Sequence, residues 1–332
     1  MERIRLPLAP SLEVKFADRE MALKRMEEWA ERGMARVEVV FGPEGCGKTA
    51  WLRQSAVLLR ELGYHVIYVD PLRKYFEAYT DVKEVARRLA EAAAGALVEA
   101  RIWLATLAID LTNLLIKRMK KKVAVLADDV FQAIGLGEAA KYVKALLGVI
   151  EYPPASYERV IAVVATSEGV TRREIGRHRW AYLTPMWSMP REGFRQLYDQ
   201  IPGDKPPFEE VWKITGGNPK LLGELYKARW DVEEVLARLV DEKKIDVFVG
   251  GLGEREKELL RQAVEDPDSL ITRGDPPNGE AGRSKPNSGH DPPAGPPLLG
   301  RGDAAREGLR AWDREARGLA DAAPQRGGKE GS

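Results

Sequence analysis

One run of eight residues limits what this chain can fold into more than any other: Gly42-Pro43-Glu44-Gly45-Cys46-Gly47-Lys48-Thr49. It fits the spacing G-x-x-x-x-G-K-[ST] at every fixed position. Before it, Val37-Glu38-Val39-Val40-Phe41 reads as a buried strand; after it, Ala50-Trp51-Leu52-Arg53-Gln54 reads as the opening turns of a helix. Strand, glycine loop and helix in that order make an anion cradle. Glycines let successive N–H groups turn inward, and a helix N-terminus adds unpaired donors and a favourable dipole. The nucleotide-binding set is therefore Gly42, Pro43, Glu44, Gly45, Cys46, Gly47, Lys48, Thr49 and Ala50. Lys48 is placed to reach the β- and γ-phosphates, and the Thr49 hydroxyl to sit on Mg²⁺.

A second motif follows about 80 residues later, Val123-Ala124-Val125-Leu126-Ala127-Asp128-Asp129-Val130. An apolar run ending in acids reads as a buried parallel strand with carboxylates at its C-terminal edge, where open α/β sheets bind ligands. Asp128 is expected to hold the Mg²⁺ shell, and Asp129 to orient or deprotonate the attacking water. A plain helix-capping pair is the blander reading. A third apolar run, Val160 to Ala165, ends in Thr166-Ser167-Glu168-Gly169. Thr166 or Ser167 is expected to sense the γ-phosphate; an ordinary strand-to-loop cap is the alternative.

Length and composition bound the rest. The 332 residues suit two or three domains, and a net charge of +1 gives no global pull toward nucleic acid or membrane. The single cysteine, Cys46, leaves no intrachain disulfide, which fits a reducing cytoplasm. Met1 to Arg5 carries no signal-peptide apolar core, and Ile102 to Ile116 is too short and too polar to span a bilayer. The high charge content is compatible with a thermophile.

Five strands are expected, at 37–41, 65–70, 123–127, 160–165 and 181–184, alternating with helices. Residues 1–35 read as an approach segment in which Asp18-Arg19-Glu20 precedes a helix, and 36–185 as the α/β core. A long helical region at 81–120 ends in Lys117-Arg118-Met119-Lys120-Lys121-Lys122, which suits a helix C-terminus; a nucleic-acid patch is the sharper alternative. Residues 186–245 read as a helical lid, in which Pro219 opens a helix after Gly216-Gly217-Asn218. Residues 246–272 read as a partial winged-helix region. From 273 to 332 there are 12 Gly, 8 Pro and no Val, Ile, Phe, Tyr or Met, so that tail is expected to be disordered. Its Asp-Pro, Pro-Pro and Arg-Gly clusters suggest a frameshift past codon 272.

Taken together these elements resemble the archaeal ATPase family within the STAND branch of AAA-like P-loop ATPases, over about residues 14–265. The markers are Phe16-x-Asp18-Arg19-Glu20, the phosphate loop (Walker A), the acidic strand end (Walker B), Ala165-Thr166-Ser167-Glu168-Gly169 and Gly216-Gly217-Asn218-Pro219-Lys220-Leu221-Leu222. The resemblance implies a five-stranded parallel sheet in the additional-strand order, a helical lid and a winged helix, here truncated. It implies that Arg19 approaches the nucleotide and that Gly217 and Pro219 line the adenine pocket, and it makes Arg177 and Arg179 candidates for contacting the γ-phosphate, with plain surface charge as the alternative. Two departures stand out: Asp129 where many relatives carry Glu, and a winged helix interrupted by the tail.

The function this implies is a Mg²⁺-dependent, ATP-hydrolysing molecular switch with ATP/ADP as its nucleotide and an unknown protein partner. ATP-dependent self-association is compatible with the family. The alternative is a DNA-associated ATPase resembling archaeal replication initiators, which the near-zero charge disfavours. A non-hydrolysing nucleotide module and a metabolic kinase are weaker readings. No guanine-reading Asn-Lys-x-Asp element is present, which favours ATP over GTP.

Overall fold

A computed structural model gives the structure of the protein and describes residues 2–94, 99–167, 175–176 and 178–265. The N-terminal elements are β1 (Arg5–Ala9), β2 (Leu12–Lys15) and α1 (Glu20–Arg32). The core follows with β3 (Val37–Phe41), α2 (Lys48–Glu61), β4 (His65–Asp70), β5 (Tyr75–Tyr79), α3 (Lys83–Ala94), α4 (Glu99–Lys117), β6 (Lys122–Asp128), α5 (Val130–Ile134), α6 (Leu136–Glu151), β7 (Arg159–Thr166) and β8 (Ala181–Pro185).

The apolar runs sit at the centre of a sheet ordered β5-β4-β6-β7-β3-β8. Their unbroken hydrophobicity has a simple cause: both faces are covered. Val123, Val125 and Ala127 of β6 face a core shared with α3, α4, α5 and α6, whereas Ala124 and Leu126 face α1 and α2. β7 divides in the same way, with Val160, Ala162 and Val164 on one side and Ile161, Val163 and Ala165 on the other. Parallel register brings the strand ends together: Phe41 pairs with Thr166 and Pro185, Asp128 with Ala165, and Val69 with Ala127.

The five strands from β4 to β8 in spatial order are parallel, but the sheet is mixed and six-stranded, not the five-stranded parallel sheet expected. β5 adds to the edge antiparallel to β4. Its Tyr75-Phe76-Glu77-Ala78-Tyr79 run has strong strand propensity, yet its half-exposed pattern is weakly alternating. The helical region at 81–120 is two helices, α3 and α4, with 95–98 outside the described residues. The basic run after α4 is largely absorbed by its neighbours. Arg118 pairs with Glu84 at 3.6 Å and Lys120 with Asp81 at 2.7 Å. Lys121 donates to Ser156, and Lys122 lies 5.9 Å from the Tyr64 ring centroid.

The approach segment also differs from expectation. β1 and β2 form an antiparallel hairpin through Pro10-Ser11, with Ser11 at φ 64°. Its Ala9, Leu12 and Val14 are buried with Phe194, Leu197, Phe208, Trp212 and Leu222 of the lid, while α1 packs on the core. The lid comprises helices Arg191–Tyr198, Phe208–Thr215, Pro219–Lys227 and Val232–Lys243. Residues 246–272 hold, as far as they are described, the ends of two helices, Ile245–Gly250 and Glu254–Glu265, and no strand. Residues 266–332, including the expected tail, lie outside the described residues. Among the described residues no helix is long and apolar enough to cross a membrane.

Hairpin and lid meet without clearance: a Cβ at Gly223 would lie 2.4 Å from the Leu8 carbonyl oxygen. Gly223→Val is expected to destabilise the protein by about 1–3 kcal/mol through overpacking. Chemical denaturation reads the value, and an unchanged midpoint means the hairpin does not hold the lid this closely.

Candidate nucleotide site

The phosphate loop is shaped by glycines at positions that side chains seldom adopt. Gly45 has φ 80° and Gly47 φ 101°, and α2 begins at Lys48 directly after them. Lys48 is buried, and its ammonium donates to the carbonyls of Gly42 (2.9 Å) and Pro43 (2.8 Å). Cys46 is buried beside it, with Sγ 3.7 Å from Lys48 Nζ and donating to the Met186 carbonyl at 3.4 Å. Ala50 follows Thr49 in the first turn of α2, half-buried.

Three separate segments close on this loop. A Cβ at Gly42 would lie 1.9 Å from the Met186 carbonyl oxygen, just after β8. A Cβ at Gly45 would lie 2.4 Å from Lys220 Cβ, on the lid. Gly47 faces Arg19, whose Nη2 would be 3.8 Å from a Cβ there. The lid contact is polar. Asn218 caps the Pro219–Lys227 helix with Oδ1 and donates through Nδ2 to the Glu44 carbonyl at 2.9 Å. Lys220 N donates to the Gly45 carbonyl at 3.4 Å. The Glu44 carboxylate is shared by Lys220 (2.6 Å) and Lys243 (2.7 Å), and those hydrogen bonds hold its carboxyl down at about 2. Gly216 and Gly217, at φ 54° and 75°, turn the chain into Asn218, and a Cβ at Gly217 would lie 2.3 Å from the Met189 carbonyl oxygen. Gly217 and Pro219 are thus brought to the loop's lid side.

The sheet edge supplies the acids. Asp128 ends β6, fully buried; Tyr68 donates to its Oδ2 at 3.0 Å and the Thr49 hydroxyl also donates to it. Burial, then the charge of Asp129, pushes the Asp128 carboxyl up to about 7. Asp129 sits at φ 46°, its N–H donating to the Ala165 carbonyl at 3.0 Å. Burial raises its pKa while Arg73, 3.6 Å away, opposes that. Arg73 is held chiefly by Asp70 at the end of β4, 2.5 Å from its Oδ2. Thr166 ends β7 at the same edge, buried.

Mg²⁺ fits this donor set. Asp128 Oδ1 is buried and makes no hydrogen bond among the described residues, and the Thr49 hydroxyl lies beside the same carboxylate. One carboxylate and one hydroxyl facing a phosphate cradle suit a cation that keeps most of its shell as water and phosphate.

Of the expected arginines, Arg19 lies at the phosphate loop and Arg179 lies away from that of its own chain. Arg19 is buried, but its Nη2 donates to the carbonyls of Cys46 and Trp187 (2.9 Å), so it braces the loop against the segment entering the lid. Arg179 is exposed two residues before β8, and Ala181 pairs with Val37 at the start of β3. It therefore lies at the sheet's opposite edge, more than the length of β3 from the phosphate loop of its own chain. Arg177, Glu168 and Gly169 lie outside the described residues. The sequence reading missed Tyr68, Asp70, Arg73 and the pairing of Glu44 with Lys220 and Lys243. Only Asp70 carried a usable signal, as an acid ending an apolar strand.

Residues 16–225 match the model of a family described as an ATPase domain predominantly from Archaea. Among solved structures the chain is similar to the Aeropyrum pernix ORC2 protein in its ADPNP–ADP complexes, at 14% identity and TM-score 0.42, covering 76% of this chain and 74% of that one. It is similar to Cdc6p from Pyrobaculum aerophilum at 15% identity and TM-score 0.41, covering 81% and 80%. It is similar to AMPPCP-bound DnaA from Aquifex aeolicus at 15% identity and TM-score 0.37, covering 75% and 68%. No curated protein matches the chain.

Glu44→Gln is expected to speed hydrogen exchange at the amides of Asn218, Lys220 and Leu221 by about two- to fivefold, the scale of exposed ion pairs. Unchanged exchange means the two lysines do not help to dock the lid.

Proposed function

This chain belongs to the family of ATPase domains found predominantly in Archaea, and we propose that its ATP hydrolysis works a molecular switch for a protein partner, of the STAND kind. The observation that carries this reading is the lid's direct hold on the phosphate loop through Glu44 and Gly45. A loop that changes shape around a triphosphate changes what the lid can touch.

In the proposed reaction water attacks the γ-phosphate in line. Lys48 exchanges the carbonyls of Gly42 and Pro43 for phosphate oxygens, and the loop amides share the charge. Asp129 orients the water, its carboxylate steadied by Arg73. Asp128 and Thr49 would hold Mg²⁺, which supplies electrostatic stabilisation of the phosphates. Thr166 senses the γ-phosphate, and Gly217 and Pro219 line the adenine pocket. Arg19 supports the nucleotide through the loop it braces. Arg179, and Arg177 beside it in sequence, serve the γ-phosphate of a second copy, which is where self-association would enter. Residues 36–185 form the catalytic core and 186–245 the lid. A reducing cytoplasm is the proposed setting, in keeping with the buried free thiol of Cys46. DNA is the alternative partner; of the basic run after α4, Arg118 and Lys120 are already paired with acids.

Two substitutions test the reading. Lys48→Ala is expected to weaken ATP binding on the order of a hundredfold, the loss of a charge-assisted contact; calorimetric titration showing wild-type affinity would refute the site. Asp129→Asn is expected to keep ATP affinity within a few-fold and lower turnover on the order of a hundredfold. Wild-type phosphate release from that variant means a different residue positions the water.

A further inference from the structure

Three aspartates converge at the carboxyl edge, and they are not equivalent. Asp70 and Asp129 share Arg73. Asp128 forms no ion pair among the described residues, although it is fully buried. Its carboxylate rests on two hydroxyl donors, Tyr68 and Thr49. Those donors differ in duty. Thr49 belongs to the phosphate loop's helix and is itself a candidate for the cation. Tyr68 lies on β4, the strand beside β6, outside the phosphate loop and its helix.

The Tyr68 ring is held in place. It is fully buried, its backbone pairs with Leu126 two residues before Asp128, and Tyr75 packs edge-on at 6.1 Å between ring centroids. A phenol fixed in this way chooses one carboxylate oxygen. It donates to Oδ2 at 3.0 Å, and Oδ1 is left buried and without a hydrogen bond among the described residues.

We infer that Tyr68 is a positioning residue for the metal site: its hydroxyl locks Asp128 Oδ2 and so presents Oδ1 to the shell of a Mg²⁺ ion. This rests on the reading of Asp128 as the Mg²⁺ acid. Outer hydrogen bonds of this type orient ligating carboxylates, and their loss costs metal affinity 10- to 100-fold. A core tyrosine that had merely found an acceptor would show no such effect.

The test uses the full chain and fluorescent ADP, titrated without Mg²⁺ and then at rising MgCl₂, with thermal melts to confirm folding. Tyr68→Phe should keep Mg²⁺-free ADP affinity within twofold and raise half-saturating Mg²⁺ on the order of tenfold. Tyr75→Phe, which removes a neighbouring phenol that bonds Glu77, should leave both values unchanged. In an Asp128→Asn background, Tyr68→Phe should move half-saturating Mg²⁺ no further, the coupling expected of one shared interaction. Unchanged half-saturating Mg²⁺ in Tyr68→Phe overturns the inference. So does an equal loss of Mg²⁺-free affinity, which would make the hydroxyl a support for the loop itself, or an additive effect on top of Asp128→Asn. A wild-type protein that binds ADP with no response to Mg²⁺ removes Asp128's metal role and this inference with it. One that binds no ADP at all removes the phosphate-loop reading first.

Discussion

The structure depends on backbone clearance at three glycines. Gly42, Gly45 and Gly47 each face a different part of the chain: the Met186 carbonyl, Lys220 with Asn218, and Arg19. The residues that curl the loop around an anion therefore also let the last strand, the lid and the N-terminal segment reach it. Side chains at these points would do more than spoil an anion nest; at 42 and 45 they would collide with atoms that have little freedom to retreat. The motif is a packing junction as well as a binding site, which is why so many polar contacts between distant segments converge there.

The acids at the sheet edge are costly where they stand. A buried carboxylate without a cation disfavours its own ionisation, and Asp128 shows this in a pKa pushed up to about 7. Asp129 is held in a left-handed conformation at φ 46° and is also pushed toward its neutral form by burial. Local strain and desolvation concentrate where divalent charge and phosphate would relieve them, and the surrounding apolar strands β6 and β7 hold them there.

Much of this was legible in the residues. The glycine loop and the Asp128-Asp129 strand end are short-range patterns, and the unbroken apolar runs of β6 and β7 read as doubly covered strands, whereas Glu38 breaks the run of β3 and is buried against Thr184. The features that escaped were set by partners far away in sequence. β5 depends on an open edge of β4, and the β1–β2 hairpin on a lid almost 200 residues later. Arg19 stands at the phosphate loop, where consecutive left-handed residues at Asp18 (φ 57°) and Arg19 (φ 67°) let it reach the Cys46 and Trp187 carbonyls, partners its sequence position did not reveal. Arg179 shows a rule that could have been applied in advance. In a parallel sheet the residues before a strand lie at the opposite edge from those after it, so a residue leading into β8 does not meet a loop leaving β3.

The lid is attached to the core twice. One attachment runs through residues 16–19, between the hairpin packed on the lid and α1 packed on the core; the other runs through 186–190 after β8. Arg19 joins the two by donating to the Trp187 carbonyl. Both attachments are thereby tied to the phosphate loop, because the same guanidinium also donates to the Cys46 carbonyl. Glu44 and Gly45 meet the lid at Asn218 and Lys220, next to Gly217, whose carbonyl accepts from the Met189 N–H in the second attachment. A change of shape at the loop tip would therefore reach the lid and both of its attachments together.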